Sequence, residues 1–306
     1  MKVSIIIPVY NAAQFLDKCI ESALNQNQTG EVLVIDDRST DNSLEICNDW
    51  VKKDSRVKVF QNEGIKGAGA TRNVGLRNAS CEYIAFLDAD DYYLEGRFNE
   101  DEICFTTYSS ILGIANNTKI ITYNKARLNG LNSVFANGNL ITSIELSNKI
   151  INFRNQSLTN SIHLNGLTIK IQRGKIWFDE SLKQCQDVDF IFRILLVGRL
   201  LFTDLYIPKA VYNLHENNTI SDYSEATFYR RKAAKKHFHL ANLHMLSYQL
   251  RIKLFKDFVE YDYLWHFGKS GSFKKLKKLL LMPFFYYRIM SKTDPVYDKE
   301  RKIHLS

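Results

Sequence analysis

Two acidic knots end strand-like apolar runs. Val32-Leu33-Val34-Ile35 leads into Asp36-Asp37, and Tyr83-Ile84-Ala85-Phe86-Leu87 leads into Asp88-Ala89-Asp90-Asp91. Carboxylates crowded in this way repel one another and raise each other's pKa unless a cation or a hydrogen-bond donor balances them. Hard divalent cations such as Mn2+ or Mg2+ take oxygen ligands, commonly from one or two carboxylates while a substrate diphosphate completes the shell. Asp88-Ala89-Asp90 suits that use. A single Asp here would read as a turn former, whereas three in four positions after an apolar run point to a ligand.

Other residues of useful type stand at comparable junctions. In Pro8-Val9-Tyr10-Asn11 the first strand meets its helix. The Tyr10 ring is placed to lie against a planar base there, and Asn11 reads as the cap of the following helix. Asp36 or Asp37 has the lone pairs to accept hydrogen bonds from a base or a ribose hydroxyl, while Ser39, Thr40 and Asp41 read as N-cap residues. The glycine-spaced segment Gly64 to Gly75 lacks the Lys-Ser/Thr ending of a P-loop. Its glycines suit close packing, and Arg72 within it offers a fork that matches phosphate or a nucleobase edge. Asp187, at the start of an apolar-periodic helix, either balances the helix dipole or acts as a general base at the mouth of the site. His215 is a solitary histidine, a common surface or core residue that as neutral imidazole can also ligate a metal.

The elements that position these residues alternate in the rhythm of a parallel sheet covered by helices. Strands are expected over 3–9, 31–36, 57–61 and 83–87, with helices over 12–26, 42–53 and 67–78. Right-handed crossovers put the carboxyl ends of such strands on one edge, where open α/β sheets bind ligands. Both acidic knots fall on that edge. Beyond residue 95 the pattern is less regular: a helix near 95–112, strands at 119–123 and 167–172, and a helix at 187–197. After about 216 the chain turns basic, aromatic and helical, with no further strand signal.

Composition bounds the rest. The 306 residues are 45% hydrophobic, enough to bury one large α/β domain and an appendage. The five cysteines are scattered and form no CxxC pair, which indicates neither a disulfide framework nor a zinc site and suits a reducing cytoplasm. The N-terminus reads as a first strand rather than a signal peptide. The longest apolar run, Leu279 to Tyr287, is nine residues and contains Pro283, well short of the about 20 needed to span a bilayer. The net charge of +8 is uneven: residues 1–227 carry 23 basic and 27 acidic side chains, residues 228–306 carry 18 and 6.

Taken in order, these segments resemble glycosyltransferase family 2, whose members are inverting and use a GT-A fold. The resemblance runs from residue 1 to about 221. It rests on Pro8-Val9-Tyr10-Asn11, Asp36-Asp37, Gly69-Ala70-Thr71-Arg72-Asn73-Val74-Gly75, Asp88-Ala89-Asp90-Asp91 and a block from Phe178-Asp179 to Gln186-Asp187. It implies a Rossmann-like, mostly parallel central sheet flanked by helices over residues 1–215, with a nucleotide-binding half over about 1–95 and an acceptor half over 96–215. The remaining 216–306 would be a basic helical extension. The implied activity is metal-dependent transfer of a hexosyl or N-acetylhexosaminyl group from a nucleotide-sugar, usually a UDP-sugar, to an acceptor hydroxyl. Pro8, Tyr10, Asp36 and Arg72 then correspond to the nucleotide-binding set, Asp88 and Asp90 to the DxD pair with Asp90 the direct Mn2+ or Mg2+ ligand, and Asp187 to the base. His215 and Ser221 match the end of the domain. The family usually has Glu-Asp where this chain has Gln186-Asp187, which removes a negative charge beside the base.

Two basic clusters, Arg230 to Lys236 and Lys274 to Lys278, are interleaved with Leu, Phe and Tyr. That pattern suits an anionic membrane surface, at roughly 1 kcal/mol per Lys or Arg near it. A solvated face packed on the catalytic domain, a nucleic-acid surface and a surface that pairs chains are the other readings of the same residues. The expectation is a cytoplasmic protein peripheral to the inner face of the plasma membrane, without a nucleic-acid partner, acting on a polyprenyl diphosphate-linked glycan in bacterial surface polysaccharide assembly. Two further functions share the sheet. A sugar-phosphate nucleotidyltransferase would need a basic, glycine-rich loop where Pro8-Val9-Tyr10-Asn11 stands, and a non-catalytic nucleotide-sugar-binding scaffold would make Gln186 a mark of lost activity.

Overall fold

The computed structural model describes residues 1–122, 150–151, 162–170, 176–203, 207–215, 223–244 and 251–261 except 253, 256 and 260. Ser221, the 274–278 cluster, the 279–287 run and the ends of the two expected strands beyond 122 and 170 lie outside the described residues.

Strands β1 (Val3–Val9), β2 (Thr29–Asp36), β3 (Val57–Gln61) and β4 (Tyr83–Phe86) alternate with helices α1 (Ala13–Leu24), α2 (Ser43–Lys53) and α3 (Ala68–Asn78). The sequences of β1, β2 and β4 are largely apolar because both faces of the sheet are covered there, while the edge strand β3 exposes Lys58 and Gln61. Ile5 and Ile7 pack with Leu16 and Ile20 of α1 on one side; Ile6, Leu33 and Ile35 join the cluster on the other. Gly75 lets α3 lie flat on the sheet, since a Cβ there would stand 2.5 Å from Cγ2 of Ile6.

The second half adds β5 (Tyr92–Tyr93), α4 (Asn99–Thr107), β6 (Gly113–Ala115), β7 (Thr118–Thr122), β8 (Ile150–Ile151), β9 (Leu167–Lys170), α5 (Gln186–Val197), β10 (Leu200–Phe202), β11 (Ala210–Leu214) and α6 (Tyr223–Leu243). The main sheet runs β3-β2-β1-β4-β9-β6-β10-β8, and a three-stranded sheet runs β5-β11-β7. Neighbours are parallel from β3 to β4 and between β6 and β10. β9 is antiparallel to both β4 and β6. One expectation is corrected here. The helix expected near 95–112 is only Asn99–Thr107, because Gly96 turns at φ +68° before it and the apolar residues after it feed β6. The strand expected at 119–123 is β7, found in the small sheet. The short strands β6, β10 and β11 were not anticipated.

α6 packs into the cluster that contains β4 and α5, through Ala234, Phe238, Leu240 and Ala241. Beneath them Asp189 is fully buried and meets Arg193 at 2.8 Å, Lys236 at 3.3 Å and His237 at 3.3 Å. Burial alone would raise its pKa, but Arg193 foremost, with His237 and Lys236, holds it well below the usual carboxylate range. Lys236 also pairs with Asp179 at 2.7 Å. One cation of the 230–236 cluster therefore points inward rather than to a solvent face. Among the described residues no helix is long and apolar enough to cross a membrane.

At the amino edge of the sheet Glu31 of β2 joins β1, β3 and the loop that leads into β4. It accepts from Ser4 at 2.5 Å, Lys58 at 2.7 Å, and the Ser80 amide and hydroxyl at 2.6 and 2.8 Å. Burial works to raise its pKa, and these donors outweigh it, holding the carboxyl at about 2. A group depressed in the folded state stabilises above its unfolded pKa and loses that contribution on acidification. Glu31→Gln should lower the free energy of unfolding by on the order of 2 kcal/mol at neutral pH. In urea titrations, the gap between the two proteins should close as pH falls from 4.5 toward about 2.

Candidate active site

The loops at the carboxyl edge are fastened to one another by side-chain to backbone bonds. Asn11 sits at φ 48°, and its Oδ1 accepts from the Thr40 amide at 2.7 Å while its own amide donates to Ser39 at 3.0 Å. It therefore does not cap α1, as expected, but joins the first loop to the second. The start of α1 is satisfied from that second loop instead: Asp41 accepts from the Ala13 amide at 3.1 Å and Ser43 from the Ala12 amide at 2.9 Å. Asp41 also accepts from the Ser43 amide at 3.0 Å, so one carboxylate serves the approaches to both helices.

The paired aspartates after β2 are buried and hold the turn. Asp36 accepts from the amides of Arg38 at 3.1 Å and Ser39 at 3.2 Å. Asp37 accepts from Asn62 at 2.7 Å and from the Gly67 amide at 2.8 Å, which fixes the start of α3 where Gly67 adopts φ +141°. Pro8 occupies the next-to-last position of β1, opposite Ile35. Tyr10 is 50% exposed at the mouth, with the Lys66 ammonium 3.7 Å from its ring centre. Lys66 is a cation of the site that sequence reading missed.

Arg72 and the acidic loop after β4 form the centre. Arg72 is only 5% exposed and pairs through Nη2 with Asp88. Its Nε and Nη1 are buried without a hydrogen-bond partner. Burial raises the Asp88 pKa, yet Arg72 and then His163 bring it below the ordinary value. Burial and Asp88 push Asp90 upward despite His215 Nε2 at 2.9 Å. Asp91 is pushed up to about 9 by burial and by Asp90 and Asp88. It accepts from the Asn213 amide at 2.7 Å and from Asn165 Nδ2 at 2.5 Å. The structure thus brings Asp88, Asp90, Arg72 and His215 together as the sequence suggested, with the His215 ring stacked on Phe15. It also adds His163 and Asn165, which carried no sequence signal. Ligand atoms of Asp88, Asp91 and His163 all lie within 4.8 Å of one another.

Asp187 lies in the first turn of α5, after Cys185 in the left-handed region at φ 62°. Burial pushes the Tyr212 hydroxyl pKa up, and Asp91, Asp88, Asp90 and, last, Asp187 add to it; Asp187 also acts on the buried His163, so it shares the electrostatic surroundings of the acidic loop. Beside it the Oε1 of Gln186 is buried without a partner. The residue after Arg72 ties the two halves together. Asn73 Oδ1 accepts from the Phe178 amide at 2.8 Å, and Nδ2 donates to the Phe178 carbonyl and to Glu180, each at 2.9 Å. Phe178 in turn stacks on Phe190 of α5 at 4.0 Å. The helix that carries Arg72 is thereby registered against the helix that carries Asp187.

Residues 4–100 match the family model "Glycosyl transferase family 2". An uncharacterized glycosyltransferase of Haemophilus influenzae is 50% identical over 91 residues, which are 29% of this chain and 36% of that protein. The Escherichia coli UDP-Glc:alpha-D-GlcNAc-diphosphoundecaprenol beta-1,3-glucosyltransferase WfaP is 41% identical over 115 residues, 35% of this chain and 45% of that protein. The matches thus span less than half of these relatives. The crystal structure of S. aureus TarS 1-349 in complex with UDP-GlcNAc superposes with a TM-score of 0.65 at 20% identity, over 90% of this chain and 76% of that one. The family 2 glycosyltransferase match thus lies in residues 4–100, and the fold is GT-A.

Asn73→Leu should leave the Phe178 amide and carbonyl without partners. A loss of roughly 1–3 kcal/mol in urea unfolding is expected, and a change below about 0.5 kcal/mol, the range of ordinary surface substitutions, would show that the clamp is not structural.

Proposed function

We propose that the chain transfers a hexosyl or N-acetylhexosaminyl group from a UDP-sugar to an acceptor hydroxyl, with inversion at the anomeric carbon. The observation that carries this reading is Arg72, a nearly buried guanidinium with two unpartnered nitrogens beside a loop of three carboxylates. Unsatisfied buried donors of this kind are costly unless an anion takes them, and a diphosphate supplies the oxygens. Tyr10, with Lys66 over its ring, suits a nucleobase and a phosphate, and Pro8 and Asp36 stand at the carboxyl ends of the adjacent strands β1 and β2.

The donor set also fits a divalent cation. Asp90 with His215, and Asp88 with Asp91 and His163, offer the oxygen and imidazole ligands that Mn2+ accepts. The crowding that pushes Asp90 and Asp91 upward is of the sort a dication relieves. Such an ion, when bound, offsets charge on the departing diphosphate. Arg72 adds positive charge at that diphosphate. Asp187 takes the proton of the acceptor hydroxyl as its oxygen bonds to the anomeric carbon and the bond to the diphosphate breaks on the opposite face.

UDP-GlcNAc in TarS and the diphosphoundecaprenol acceptor in the name of WfaP support a UDP-sugar donor and a lipid-linked glycan acceptor here. The basic, aromatic sequence beyond α6 would hold the enzyme at an anionic membrane face. The nucleotide-sugar-binding scaffold remains a distinct outcome of the same site.

Asp187→Asn separates these readings. It should lower turnover by about 10²-fold or more while donor affinity by calorimetry is retained; undiminished turnover would remove Asp187 as the base. Removing residues 262–306 should abolish flotation with phosphatidylserine vesicles and leave UDP affinity unchanged, and unchanged flotation would end the membrane reading.

A further inference from the structure

Asn165 stands in the short turn Leu164–Gly166 that enters β9, and it is fully buried. Three of its four polar groups face the site. Oδ1 accepts from the Asp88 amide at 3.1 Å, Nδ2 donates to Asp91 at 2.5 Å, and its own amide donates to His163 Nδ1 at 3.3 Å. One side chain thus grips the first and last aspartates of the acidic loop, and the same residue sets the imidazole beside them. With Nδ1 accepting, a neutral His163 carries its proton on Nε2.

Asn165 is itself held from behind. Its carbonyl accepts from Arg97 Nε at 3.1 Å, and Arg97 pairs with Asp101 at 2.9 Å with both side chains fully buried. Asp101 also accepts from Asn116 at 2.8 Å and Thr168 at 2.5 Å, and Asn116 accepts from Thr203 at 2.5 Å. A buried polar network with its groups mutually satisfied is rigid, because loosening any member strands another in a medium of low polarity. This network ends at the acidic loop.

We infer that Asn165 is a positioning residue for cation binding: it fixes the spacing of Asp88 and Asp91 so that the loop presents its carboxylates to one ion. The inference rests on the metal-binding reading above. Removing a group that orients a metal ligand typically weakens metal binding by about 10–100-fold.

The test is Mn2+ and metal-free UDP calorimetry on the full chain. In Asn165→Ala, and in Asn165→Ser should the first not fold, the Mn2+ dissociation constant should rise by about tenfold or more while metal-free UDP affinity holds. Thr203→Val, which cuts the same network away from the loop, should lower the melting temperature without moving Mn2+ affinity. Unchanged Mn2+ affinity in a folded Asn165 variant, or an equal loss in Thr203→Val, overturns the assignment. Failure of the unaltered chain to bind Mn2+ sinks the metal reading itself, a separate result.

Discussion

Like-charge crowding at the end of β4 is the constraint to which the rest of the molecule answers. Asp88, Asp90 and Asp91 occupy three of four consecutive positions at the carboxyl edge of a buried sheet, where repulsion is poorly screened. Three elements meet them. Arg72 comes from α3, His215 and the Asn213 amide from the end of β11, and Asn165 from the turn before β9. These donors still leave Asp90 and Asp91 with raised pKa values, so the loop is poised for positive charge rather than neutralised by the protein.

That arrangement needs both halves of the chain. The parallel β3-β2-β1-β4 portion supplies the acidic loop and Arg72, while the antiparallel β9 and the small sheet supply Asn165, His163, Asn213 and His215. Asn73 registers the halves through Phe178, and the buried Asp189 cluster fixes α5 against α6. α6 is thus part of the support beneath Asp187 as well as the start of the basic segment.

The first half was legible because β1, β2 and β4 are buried on both faces and the helices lie between the strands in sequence, so apolar runs and turn residues reported the elements almost directly. β1 and β3 fall at the expected residues. The second half was less so. β6 and β10 have three residues each, too few for any periodicity, and β9 pairs with strands far away in sequence. At the site, Asp88, Asp90, Arg72 and His215 could be singled out by residue type and motif. Asn11 was misassigned because its backbone conformation directs it to Thr40, a long-range bond that no local pattern encodes. His163 and Asn165 acquire their roles only when β9 docks beside β4. Lys236 looked like a surface cation because the buried Asp189 opposite it lies 47 positions away.

The account stands or falls on whether this cluster handles a nucleotide-sugar with a dication. The direct measurement is nucleotide release from a panel of UDP-, GDP- and dTDP-sugars by the purified chain with Mn2+ or Mg2+, with and without EDTA. The account predicts release of UDP from one or a few donors, abolished by EDTA. Absence of both release and UDP binding under every condition would contradict it.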